Sequence, residues 1–259
     1  MAPLTEQQAR VVARVMVEED SRRRHLVVAI SGAHAYGFPS PDSDVDLKAI
    51  HVAPTTELLG LSPPALHASR LEVVDGVEID YSSNEIQPVL QGILTGNGNY
   101  VERVLGNLRW SADPLLDELR PLVARALTRQ VHRHYHGFAQ NQLKALQTAG
   151  QKTAKKALYV LRTTLTGSHL LLTREVQPDV TVLMDHYGFG DARDLVQRKT
   201  AGERVALSDE EATLWLKRIE AAFDLLADAL RRSPLPDEAP NRDEVRAWLV
   251  ELRRRELRA

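Results

Sequence analysis

Strand signals in this 259-residue chain stop before about Pro114, and only helical patterns follow. Such a chain must build its sheet from the first part and pack helices afterwards. Leu26-Val-Val-Ala-Ile-Ser31 is a short apolar run rich in β-branched residues and closed by Gly32, which reads as a buried strand. Asp44-Val-Asp-Leu-Lys-Ala-Ile-His-Val52 reads as a second strand with carboxylates at its mouth. Leu71-Glu-Val-Val74 and Val77-Glu-Ile-Asp-Tyr81 flank Asp75-Gly76, the strongest short hairpin signal. A helix over 5–24 precedes these strands, its face set by Val11, Val12, Val15 and Met16. Another follows them, with a face of Ile86, Val89, Leu90, Ile93 and Leu94 and a cap expected at Asn84. Past Pro114 the Leu/Ala/Arg/Lys-rich pattern predicts helices near 114–128, 131–148, 151–172, 209–232 and 241–257. The expected class is α+β: a small mixed-sheet core over residues 1–112, then a helical domain over 113–259.

Composition removes several chemistries. With no cysteine there are no disulfides, thiolate zinc sites or cysteine nucleophiles. The formal net charge of −2 gives no global basic field for nucleic acid, although it leaves room for a local patch. No apolar run approaches the ~20 residues that span a bilayer, and residues 1–8 lack a signal-peptide pattern. A cytoplasmic protein with no membrane partner is expected.

The chemistry concentrates in Ser31-Gly-Ala-His-Ala-Tyr-Gly-Phe-Pro-Ser-Pro-Asp-Ser-Asp-Val-Asp-Leu47. Gly32 closes a strand and lets the backbone approach a ligand; a helix beginning there presents free N–H groups to phosphate. Asp44 and Asp46 stand two apart on a strand, so their side chains leave the same face. Neighbouring carboxylates repel unless a cation sits between them, and hard oxygen ligands select Mg²⁺, Mn²⁺ or Ca²⁺. A phosphate seat beside a Mg²⁺ seat is what an NTP needs. Asp80, with Glu78 on the same strand face two residues earlier, is the expected third carboxylate. Three carboxylates can hold two metals ~4 Å apart for in-line displacement.

These residues resemble the DNA polymerase β-type nucleotidyltransferase superfamily: a Gly-Ser pair after the first strand, Asp-x-Asp, then a third Asp on a later strand. More narrowly, Gly-x-His-Ala-Tyr-Gly-Phe with Ser-Asp-x-Asp-Leu is similar to predicted nucleotidyltransferases associated with phage RNA ligases. Gly96-Asn-Gly-Asn-Tyr-Val-Glu102 and Lys155-Lys-Ala-Leu-Tyr-Val-Leu-Arg162 resemble later blocks of that family. The resemblance implies an enzyme that moves NMP from an NTP to an acceptor and releases pyrophosphate. Asp44, Asp46 and Asp80 would be its catalytic and metal-holding residues. Gly32 and Ala33 would cradle phosphate, with His34, Ser43, Lys156 and Arg162 beside the nucleotide. The acceptor is left open, with RNA among the candidates, as is the oligomeric state.

One position departs from the pattern. The family's Gly-Ser is Gly32-Ala33 here, so one phosphate-binding hydroxyl is absent. Backbone N–H groups still bind phosphate, and Ala33→Ser is expected to restore a contact. The departure also supports a rival reading, a catalytically impaired, antitoxin-like nucleotide- or partner-binding module. A small-molecule enzyme like the aminoglycoside nucleotidyltransferases is a third. His132, His134 and His136 read as a solvated or substrate-facing helix end.

Overall fold

The computed structural model describes residues 4–202 and 205–258; the first three residues read above lie outside that range. Its strands are β1 (Arg24–Ile30), β2 (Val45–Val52), β3 (His67–Val74), β4 (Val77–Glu85) and β5 (Arg109–Ala112). The first helices are α1 (Glu6–Asp20), α2 (Gly32–Tyr36), α3 (Thr55–Leu58), α4 (Ile86–Leu94), α5 (Gly98–Leu105) and α6 (Leu115–Arg125). There follow α7 (Val131–Gln147), α8 (Ala154–Thr173), α9 (Val180–His186), α10 (Arg193–Ala201), α11 (Asp209–Arg232) and α12 (Arg242–Arg258). Among the described residues no helix is long and apolar enough to cross a membrane.

The class is α+β with a mixed sheet, ordered β3-β4-β2-β1-β5. β1 lies antiparallel to β2 and to β5, β3 antiparallel to β4, and β2 parallel to β4. The hairpin turns through Asp75 and Gly76, both at positive φ (49° and 79°). That conformation matches the twist of the flanking strands, and Gly adopts it without cost.

The chain forms two compact units, and it passes between them more than once. The sheet unit takes Leu4–Ser31, Asp44–Thr128 and 238–258; the helical unit takes Gly32–Ser43 and Arg129–Asp237. The 112/113 boundary read from the sequence therefore differs from the compact units at three places. The loop after β1 groups with the helices, and α6 and α12 group with the sheet. In the sheet unit α12 is held by Arg253, which donates to the Glu85 carboxylate and the Ala53 carbonyl, and by Glu256 paired with Arg24. Such long-range pairings leave no mark in local sequence.

In the sheet unit, Val11, Val12, Val15 and Met16 of α1 share an apolar cluster with Val28, Ile30, Val45, Leu47, Ala49, Ile79 and Tyr81. Alternation along β2 then directs residues 44, 46 and 48 to the opposite face. The cap of α4 is Glu85, whose carboxylate accepts from the Gln87 N–H at 2.6 Å, not Asn84. Asn84 is still within β4, where its side chain accepts from Arg103 at 2.7 Å. In the helical unit α8 is buried along most of its length, in a cluster that includes Leu158, Leu161, Leu165, Met184, Trp215 and Ile219.

Candidate active site

The sheet unit carries the carboxylates. In the parallel pairing of β2 with β4, Asp46 is the register partner of Asp80. Parallel partners project to the same side, so the two carboxylates are neighbours on the face opposite α1. Asp44 stands one residue before β2, on the same alternation as Asp46, and both are half-buried. The Ser31 amide donates to the Asp46 carbonyl at 2.9 Å, which prolongs the β1–β2 pairing to the mouth of β2. Glu78, two residues before Asp80, is exposed.

Sequence reading passed over Lys48 at this site, although its spacing from Asp46 puts it on the same face. Its ammonium stands 2.8 Å from Asp80 Oδ2 and 3.5 Å from Asp46 Oδ1, and it donates to the Asp80 carbonyl at 3.4 Å. Burial pushes the Asp46 carboxyl up to about 6; Lys48 opposes that rise, while Asp44 and Asp80 add to it. One ammonium thus serves two carboxyl groups, with Asp44 two residues before Asp46 on the same alternation, and the donor set, all hard oxygen, suits a divalent cation. As the side chains stand, no group of three or more His, Asp or Glu is gathered to hold a metal ion among the described residues.

The helical unit carries the remaining predicted residues. Gly32 opens α2 at a φ of +61°, a conformation glycine adopts readily. Ala33 and His34 are buried, and Ala33 shares the apolar cluster of Phe38 and Leu161. At Gly37 (φ +89°) an added Cβ would meet Asp179 Oδ1 at 2.1 Å, so only glycine fits between this loop and the cap of α9. Ser43 is buried, and its hydroxyl accepts from the Ser40 N–H at 2.9 Å. Lys199 of α10, fully buried, donates to the hydroxyls of Ser40 (2.7 Å) and Ser43 (3.1 Å). No local signal distinguishes Lys199 from any helical lysine.

Arg162 is buried on α8 with its guanidinium carbon 3.8 Å from the centre of the Tyr36 ring. Lys156 lies at the opposite end of the Lys155–Arg162 block. It lines a cavity of about 580 Å³ together with Gln142, Gln151, Thr153, Lys155 and Tyr159. His132 and His136 stack on one face of α7 with ring centres 5.3 Å apart. The structure therefore sets Asp46 beside Asp80 in the sheet unit, with Asp44 two residues before Asp46 on the same alternation. It gathers Gly32, Ala33, His34, Ser43 and Arg162 around the loop and α8 of the helical unit.

A family model described as the RNA repair pathway DNA polymerase beta family matches residues 5–251. An uncharacterized Bacillus subtilis (strain 168) protein, YcgL, is 26% identical over 209 residues, which cover 76% of this chain and 78% of that protein. A crystal structure of a nucleotidyltransferase-like protein from Exiguobacterium sibiricum 255-15 covers 95% of this chain and 80% of its own. At 13% identity and a TM-score of 0.35, that likeness is too loose to bear on the site.

Proposed function

The chain belongs to the RNA repair pathway DNA polymerase beta family, and from that premise we propose that it transfers a nucleoside monophosphate from an NTP to an acceptor. The observation that carries this reading is the register of Asp46 beside Asp80, with Asp44 two residues earlier on the same face. Asp44, Asp46 and Asp80 would hold Mg²⁺ or Mn²⁺, and the all-oxygen donor set, with Asp46 raised first by burial and then by the neighbouring Asp44 and Asp80, supports that fit. When bound, such ions neutralise charge on the triphosphate and on the oxygens that gain charge during transfer.

The chain's own groups do the rest. Asp80 accepts the proton of the acceptor hydroxyl, whose oxygen attacks the α-phosphorus. The bond from that phosphorus to the β-bridging oxygen breaks, and pyrophosphate leaves. Backbone N–H groups at Gly32 and Ala33 receive the β- and γ-phosphates. Lys156 and Arg162 add positive charge on the nucleotide side. His34 and Ser43 shape the loop that carries those N–H groups. The family description favours an RNA end as the acceptor.

The test is label transfer from α-labelled NTPs with Mg²⁺ to RNA, with protein and small-molecule fractions in parallel. The expected result is incorporation into RNA by the wild type and none by Asp46→Asn. Equal incorporation by both would remove the carboxylates from the mechanism. Nucleotide binding without transfer to any fraction would favour the binding-module reading.

A further inference from the structure

We infer that Lys48 is the resident counter-cation of the carboxylate site, and that a divalent metal reaches Asp46 and Asp80 only by displacing its ammonium group. The inference rests on the carboxylates holding metal, as proposed above. Lys48 leaves β2 on the same face as Asp46, two residues along, and its stem reaches sideways to β4. There its ammonium lies within 2.8 Å of Asp80 and 3.5 Å of Asp46, between carboxylates that would otherwise repel. It also donates to the Asp80 main-chain carbonyl at 3.4 Å, so one side chain ties the two strands at the point where they carry like charge.

This is the position a metal shared by Asp46 and Asp80 would need. A divalent ion and an ammonium within ~4 Å of each other repel strongly where water is scarce, so the two cannot both bridge the pair. Lysine is suited to the exchange. Its charge is compact and its donors rotate on a flexible stem, whereas an arginine fork would hold the carboxylates in fixed, paired geometry. The same contact has a second consequence. With Lys48 in place one of the two negative charges is balanced in the absence of metal, which lowers the cost of holding like charges side by side.

The test is Mn²⁺ titration of the full chain, followed by electron paramagnetic resonance of the free ion, with thermal unfolding measured in EDTA. Wild type, Lys48→Met and Lys48→Arg are compared, and Lys48→Gln replaces the methionine variant if that protein does not fold. Lys48→Met should bind Mn²⁺ at least about tenfold more tightly than wild type, a change of about 1.4 kcal/mol. It should also unfold at a lower temperature in EDTA and recover on Mn²⁺ addition. Lys48→Arg should bind Mn²⁺ no better than wild type. Equal or weaker Mn²⁺ binding by Lys48→Met, with binding by wild type measurable, overturns the inference and leaves the metal reading standing. Absence of Mn²⁺ binding by both proteins overturns the two together.

Discussion

Asp46 and Asp80 are paired across the parallel strands β2 and β4, and the ammonium of Lys48 lies against both carboxylates. Strands that run parallel cannot be joined by a tight turn, and here β2 reaches β4 only through α3 and the edge strand β3. The connection allows residues 34 apart in the chain to stand side by side at one end of the sheet. It also separates their roles by strand: Asp44 and Asp46 share β2's approach, while Asp80 comes from the neighbouring element.

Nucleotide binding should follow from that arrangement. Asp44→Ala removes one carboxylate of the pair at the mouth of β2 and should abolish the Mg²⁺-dependent part of NTP affinity. In wild type, calorimetry should show NTP bound at least about tenfold more tightly with Mg²⁺ than with EDTA. Equal affinity in the two conditions would remove the metal assignment.

Asp80 should behave differently. Asp80→Asn keeps the shape of the side chain and leaves Asp44 and Asp46 in place, so much of the NTP binding should survive. Transfer should fall by about 10²-fold or more, the usual contribution of a positioned proton acceptor. Transfer at the wild-type rate would hand the third position to Glu78 or to no carboxylate.

Much of this was open to inspection in the chain. The alternation Val45-Asp46-Leu47 declared which side chains face the core, and Asp75-Gly76 declared the hairpin, because both depend on local geometry alone. The register of β4 against β2 did not show, since nothing local fixes how strands pair across a crossover. β5 was missed for the same reason: Arg109–Ala112 is a short edge strand formed by pairing with β1. The return of α12 to the sheet unit depends on Arg253 meeting Glu85, 168 residues away. Lys48 could have been found, since its spacing from Asp46 is the spacing that revealed Asp44. Lys199 could not.

Arg162 should act through Tyr36 as well as through its charge. A guanidinium over an aromatic face in a buried setting contributes about 2 kcal/mol, and its flat group stacks where an ammonium does not. A double-mutant cycle with Arg162→Lys and Tyr36→Leu, read by urea unfolding, should give a coupling of about 1–2 kcal/mol. Coupling near zero would mean that the stack does nothing for stability.

His51 should make the protein acid-sensitive. It is buried on β2 with Nδ1 2.8 Å from the Ser83 hydroxyl. Burial first, then the positive charges of Arg23, His25, His67 and Arg253, lowers it from its ordinary 6.5 to about 4. The fold therefore prefers the neutral ring. Its contribution is complete above about pH 6.5 and is lost as the pH falls towards 4, because the unfolded chain takes up the proton first. Over that window each pH unit costs at most about 1.4 kcal/mol. Urea midpoints between pH 7.5 and 4.5 should fall more steeply for wild type than for His51→Gln; parallel curves would exonerate His51.

Ala33 is the residue whose reading the structure changes most. From the sequence, a serine there should restore a phosphate contact and improve nucleotide binding. In the structure the methyl group is 2% exposed and belongs to the apolar cluster of Phe38, Leu161 and Met184. A hydroxyl placed there leaves water for an apolar setting, at a cost of about 1–3 kcal/mol unless it finds a partner. Any part Ala33 plays with phosphate would be played by its backbone N–H, which the substitution does not alter. Ala33→Ser is therefore expected to lower the unfolding free energy and to leave NTP affinity within about threefold of wild type. Urea unfolding and NTP calorimetry on the same preparation decide it. Should the serine protein bind NTP about tenfold more tightly, with no loss of stability, then the side chain at 33 faces the phosphates. In that case the natural alanine weakens the enzyme.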